Sequence, residues 1–470
     1  MRRRDFMITL GTTAGSMSLA AQTALGPQPG APGVKPPALV MGAFVYPSTE
    51  SLDKVGYYSW PGSGFNAEGR QAEYMGRIRK IEEKLGMQIR MEEKPLEGEE
   101  DVTRFIRAAQ KAHPDGLLLV LFKKGHWNHV MRIQKEIQKP TVILAGLGIL
   151  LVDHIRQVHE TPGIYLINAL DDLDAVETGM NAIRTEQWMR ESRIINIVKK
   201  EAQTTRVPHL GTEIRTVPID RFAEIFQRTQ AVGPVKELAD RYLKNAVRIE
   251  EPTKADVLEA AKTYFVFKQI LQEEQGDAVM MDCLSGISKP PKHVPPCMGF
   301  MSLRDEGIAA GCQADLNPTL TMMLIQQLFN RPSFQQNASM DTENNLYFGA
   351  HCTCPTKLFG PDLPAEPYIL RNHAEAGWGC VPRVLWRPGE EVTMALYQSG
   401  EAPSMMIYSG KVRSCPSVPP TGGCRTNLKM TINEVEDVCD VKGMHQCIFY
   451  GNYTKQLKTF CQLFNIQVVI

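Results

Sequence analysis

At 470 residues the chain is longer than a single hydrophobic core usually supports, so two or three domains are expected. Its 52 lysines and arginines balance 52 aspartates and glutamates, which leaves no global charge to hold a nucleic acid or an anionic membrane and makes small-molecule chemistry the default. All eleven cysteines fall between Cys283 and Cys461; that asymmetry supports a domain boundary and argues against a disulfide-built secreted scaffold.

In chain order, MRRRDFMITLGTTAGSMSLAAQTALG is a basic segment followed by a short, mildly apolar one, and it reads as an export signal. Arg3-Arg4-Asp5-Phe6-Met7 resembles the twin-arginine pattern, which implies a periplasmic or other extracytoplasmic location. A Pro/Gly linker completes residues 1–37. No later apolar run approaches the roughly 20 residues of a spanning helix.

ALVMGAFVYP, GLLLVLF and PTVILAG are apolar strand-like runs, and the segments between them carry apolar residues at helical spacing. This alternation predicts an α/β domain over 38–190 with a parallel sheet covered on both faces. RIINIV and GDAVMMDCL, separated by the helical FAEIFQRTQA and KADVLEAAKTYFVFKQILQEE, predict a second doubly wound domain over 191–354. Neither has a phosphate-binding glycine loop; GLG at 146–148 is a fragment. From 355 to 470 short β-like runs between Pro/Gly turns (EVTMALYQ, SMMIYSG, QCIFYG) predict a β-rich, barrel-like third domain.

Three stretches carry chemistry. In SLRDEGIAAGCQADLNP, Glu306, Gln313 and Asp315 gather before a helix that Pro318 helps to start; MDTENNLYFGAHC joins Asp341 to His351; GMHQCIFYG places His445 at a strand start. Taken singly, each histidine is more often a hydrogen-bonded structural residue, and Asp341 before Asn-Asn is more often turn chemistry. Together they would form an N/O site for a divalent metal. HCTC at 351–354 lacks a second thiol pair and does not read as a zinc site. Cys415 with Cys424, or Cys439 with Cys447, could pair after export, or all could stay free thiols.

In this order the three stretches resemble the L-fucose and L-arabinose isomerase superfamily over roughly residues 38–470. The resemblance implies metal-dependent aldose–ketose isomerisation of a small sugar, with Mn2+ as the metal and a trimer or hexamer whose pockets are completed by a neighbour. It places the family's first acidic ligand on Gln313, its second on Asp341, and its histidine ligands on His351 and His445; His373 resembles a substrate-loop residue. The departure is Gln313, which is neutral and cannot take a proton. Glu306, Asp315 or Glu343 could restore a carboxylate; alternatively the chain binds a sugar without isomerising it, or epimerises a related one. Gln313 could also simply cap or hydrogen-bond within its domain.

Overall fold

Five parallel strands, β1 (Leu39–Val45), β2 (Gln88–Met91), β3 (Gly116–Leu121), β4 (Thr141–Gly146) and β5 (Ile164–Ala169), form a sheet in the order β2-β1-β3-β4-β5. They belong to a computed structural model that describes residues 35–55, 64–285, 287, 293–417 and 423–470; the expected signal segment lies outside them. Along β1 and β3 the side chains alternate between two cores: Val40, Phe44, Leu118 and Val120 face one, and Met41, Val45, Leu117 and Leu119 the other. Helices Ala67–Leu85 and Leu173–Arg190 cover the first face, Glu99–Ala112 and Trp127–Ile137 the second. A strand buried on both faces has to be apolar throughout, as GLLLVL is.

The second sheet contains β6 (Arg193–Val198), β7 (Gln203–Arg206), β8 (Glu213–Pro218), β10 (Ala278–Met281) and β11 (Ala310–Cys312) in the order β11-β10-β6-β8-β7, parallel except for the edge strand β7. The short β9 (Arg248–Ile249) leaves this unit to pair with the third. Helices Ile219–Arg228, Lys254–Glu273 and Cys297–Asp305 pack on one face. The other face meets helix Leu316–Phe329, which is buried at every position from Pro318 to Leu328, as its nearly uniform apolar sequence requires.

The third unit is antiparallel. Strands β12 (Phe334–Gln335), β13 (Asn337–Asp341), β14 (Leu346–His351), β17 (Glu391–Gln398), β18 (Ser404–Ser414), β19 (Thr426–Met430) and β20 (Cys447–Tyr450) run in the order β12-β20-β17-β18-β19-β14-β13, with β21 (Gln467–Val469) added beside β18. Only Gln336 separates β12 from β13, so the two ends of the strand order are consecutive in the chain. β15 (Tyr368–Arg371) and β16 (Val381–Val384) join β9 in a small sheet.

The antiparallel pairing therefore starts at Phe334, ahead of the expected boundary at 355, and His351 belongs to this sheet. The polar run QQNASMD concealed its first strand. One core cluster includes Leu118, Ile194, Met280, Leu324, Tyr397 and Phe449, so the three sheets share apolar packing. Among the described residues no helix is long and apolar enough to cross a membrane.

Candidate functional site

The C-terminal ends of parallel strands are where open α/β sheets usually hold ligands, and β10 and β11 end beside the start of helix Leu316–Phe329. Gly311 permits that approach, since a Cβ there would lie 1.9 Å from Thr319 Oγ1. Directly after β11, Gln313 and Ala314 take left-handed φ values of 59° and 51°, an uncommon backbone for residues with side chains and a frequent mark of a functional turn. They deliver Asp315 to the N-cap position of the helix. Its carboxylate makes no capping bond; Oδ2 instead lies 2.7 Å from His445 Nδ1.

His445 also has a left-handed φ, 60°, and follows Gly443 at φ 90°. Its Nε2 lies 2.7 Å from Asn337 Oδ1. Asp315, His445 and Asn337 therefore form a hydrogen-bonded row across the junction of the second and third units.

Three consecutive carboxamides brace this row. Gln335 accepts from the Cys312 N–H at 2.9 Å and donates to the Cys312 carbonyl at 3.2 Å, tying β12 to the end of β11. Gln336 donates to the Tyr347 hydroxyl at 2.6 Å. Tyr347 donates in turn to Gln446 Oε1 at 2.9 Å, and Gln446 Nε2 holds the carbonyls of Lys442 and Gly443. Asn337 faces the histidine. Placing polar residues in a strand with buried neighbours is costly unless they are satisfied, and these bonds satisfy them except at Gln336 Oε1, which has no partner among the described residues.

His351, at the end of β14, is 2% exposed, and its ring centroid lies 5.8 Å from that of His445. Neither ring nitrogen has a hydrogen-bond partner among the described residues. Burial pushes its pKa down to about 3, so the ring is neutral at any physiological pH and carries one donor and one acceptor. A buried, unsatisfied imidazole beside a polar row suits a ligand that brings hydroxyl groups.

The same burial has a cost in acid. A ring held at about 3 and titrating near 6.5 when unfolded stabilises the fold fully above the unfolded value and progressively less as pH falls towards the folded one. The expected result is a loss of about 2 kcal/mol by pH 5 attributable to this group. Urea unfolding of wild type and His351→Gln between pH 7 and 5 checks it; equal slopes for both proteins would remove the assignment.

The structure brings together Asp315, His351 and His445, with Gln313 exposed at the rim. It does not bring Asp341 to them. Asp341 lies four residues along β13 from Asn337, about 13 Å of strand, and its carboxylate is taken by Lys429 and by the Asn344 N–H and amide in the hairpin turn. These contacts are turn chemistry, and among the described residues no hydrogen bond joins Asp341 to the row at His445. Glu343 is exposed in the same turn. Glu306 ends helix Cys297–Asp305 and is bound by the Tyr264 hydroxyl at 2.5 Å and by Lys268 at 3.3 Å, on the flank packed by helix Lys254–Glu273, and among the described residues no hydrogen bond joins it to the row at His445. His373 is buried against Cys352, with Nδ1 accepting from the Ala376 N–H at 3.2 Å. In this structure all eleven cysteines are free thiols.

The donor set does not suit a hard divalent ion. Asp315 is the only carboxylate in the row, Gln313 and Asn337 are neutral, and among the described residues no group of three His, Cys, Asp or Glu side chains could hold a metal. Nearby, the fully buried Arg304 guanidinium adds positive charge: it donates to the Ala310 carbonyl at 2.9 and 2.6 Å, to the Thr353 carbonyl at 3.3 Å and to Gln335 at 3.3 Å, and hydrogen-bonds no carboxylate among the described residues. Manganese, which prefers several oxygen anions, would meet one anion and an opposing field.

Asn337, Gln335, Gln446 and Arg304 were not singled out by sequence reasoning. The available signal was SFQQN, a cluster of carboxamides directly after a buried helix. No family model matches the chain, and no curated protein matches it.

Proposed function

We propose that the chain binds a small sugar and is a relative of the L-fucose and L-arabinose isomerases, with a barrel-like third domain, in which metal-dependent proton transfer between C1 and C2 has been lost. The observation that supports this reading is the residue beside His445: Asn337, 2.7 Å from its Nε2, is a carboxamide and not a carboxylate, and Gln313 is a carboxamide as well. Isomerisation needs anions to hold the metal and groups to carry the proton. Carboxamides do neither, but they and the neutral ring of His351 donate and accept hydrogen bonds in the pattern that vicinal hydroxyls present. Export by the twin-arginine route and a trimer or hexamer belong to the same reading.

A second reading, a sugar epimerase or isomerase that works by acid–base chemistry alone, is favoured by the 2.7 Å contact between Asp315 and His445, since a carboxylate that orients an imidazole is a common proton-transfer unit. Calorimetry over a panel of aldoses and ketoses, paired with solvent-deuterium exchange with and without manganese, separates the two. The expected result is binding of at least one sugar, weakened about tenfold in His351→Ala, which is one hydrogen-bonded group's worth, without exchange at C2. Exchange that Asp315→Asn abolishes would select the second reading. No binding across the panel would remove both.

A further inference from the structure

Beneath the Gln313 turn two thiols face each other. Cys283, two residues beyond the end of β10, and Cys312, the last residue of β11, are both buried, and their Sγ atoms are 3.1 Å apart. A disulfide needs about 2.05 Å, so a small movement of two side chains would close one. The Gln313 N–H, presented by the left-handed turn, is directed at the Cys283 sulfur.

The surroundings distinguish the two thiols. The buried Arg304 cation, which hydrogen-bonds no carboxylate among the described residues, donates to the Ala310 carbonyl of β11 and has the thiols of Cys312, Cys447, Cys354 and Cys297 within electrostatic reach. Those four thiols are nevertheless held above their usual range, Cys312 first by its contact with Cys283 and the other three by burial, so Cys283 is the member of the pair that ionises more readily. The Cys312 S–H and the Gln313 N–H draw the Cys283 thiol below its usual range, against the effect of burial. Access is short: Gln313 is exposed, and Ala314 and Asp315 are half-buried, so the pair lies one residue below solvent.

We propose that Cys283 and Cys312 are a redox-active dithiol that closes to a disulfide under peroxide and thereby fixes the turn that carries Asp315 to His445. The Cys283 thiolate attacks one peroxide oxygen, the O–O bond breaks, and the departing hydroxide takes a proton to leave as water, giving a sulfenic acid. Cys312 sulfur then attacks that sulfur; the S–S bond forms, the S–O bond breaks, and hydroxide leaves with the Cys312 proton as a second water. Two thiols are oxidised by two electrons in total and one peroxide is reduced. The turn responds because Cys312 immediately precedes Gln313 and because Ala314 N–H donates to the Met281 carbonyl of β10, so both anchors of the turn are the strands that the bond would join.

The full chain, purified reduced and treated with hydrogen peroxide near stoichiometry, is denatured, alkylated and mapped by mass spectrometry. The expected result is two fewer alkylated thiols than the eleven of the reduced chain and a dithiothreitol-reversible peptide link between Cys283 and Cys312. A link between Cys352 and Cys424, whose thiols also touch, in place of this one would overturn the proposal, as would sulfinic acid without any link. Cys312→Ser should lose the link and, where circular dichroism shows it folded, leave an alkylatable sulfenic acid on Cys283; the wild-type map decides the matter even if that variant fails to fold. Hydrogen exchange of the Ala314 amide should slow about tenfold in the oxidised protein, and unchanged exchange would overturn the tie to the Asp315 turn.

Discussion

Replacing Arg304 by methionine is expected to lower the unfolding free energy by about 3 kcal/mol, the range in which loss of a buried hydrogen-bonded cation usually falls. The guanidinium is 2% exposed and links three segments: β11 through Ala310, β12 through Gln335, and the chain after β14 through Thr353. Methionine fills much of the volume but leaves those acceptors buried and unsatisfied, at about 1–3 kcal/mol each. Part of that cost is offset because a buried charge without a carboxylate partner no longer has to be desolvated. Arg304→Lys keeps the charge but has a single ammonium in place of a planar fork and cannot span three acceptors, so it should recover less than half of the loss. Urea unfolding followed by tryptophan fluorescence measures both. A methionine variant as stable as wild type would show that the three segments are held by their apolar contacts alone.

How much of this was visible beforehand depended on the type of residue. The strands GLLLVL and VILAG and the helix around MMLIQQLF were readable because burial on both faces demands unbroken apolar sequence. The row at the site was not readable in the same way. Asp341 and Asn337 lie on one strand, and spacing alone cannot show which of them meets His445; the register of β13 against β14 decides it. Carboxylates drew attention as chemistry while the carboxamides Gln335, Gln336 and Asn337 did not, although they do most of the holding. The left-handed backbone at Gln313, Ala314 and His445 leaves no mark in residue types that usually avoid it. Antiparallel pairing begins at Phe334, ahead of the boundary expected at 355, where the first strand is only two residues long and the next, NASMD, is largely polar.

The double substitution Gln313→Glu with Asn337→Asp is expected to raise manganese affinity at least about a hundredfold over wild type, since each added carboxylate is worth roughly tenfold or more once dehydration and screening are subtracted from a gross attraction to a divalent ion of about 8 kcal/mol at 4 Å. In wild type Asp315 is the single anion of the row, and its Oδ2 is engaged by His445. Asn337→Asp would place a second carboxylate against His445 Nε2, and Gln313→Glu would bring a third at the rim, where the side chain is exposed and free to turn inward. Three carboxylates with the neutral His351 would outweigh the Arg304 cation nearby and give a hard ion the oxygen ligands it prefers. Asp341→Asn serves as the control: its carboxylate is engaged by Lys429 and the hairpin turn, so manganese affinity should not change. Titration followed by electron paramagnetic resonance of free manganese reads all three proteins. If the double variant binds no more tightly than wild type, the two carboxamides do not occupy metal-ligand positions and the proposed kinship with sugar isomerases does not extend to the site; if Asp341→Asn weakens binding, the row at His445 is not where the ion goes.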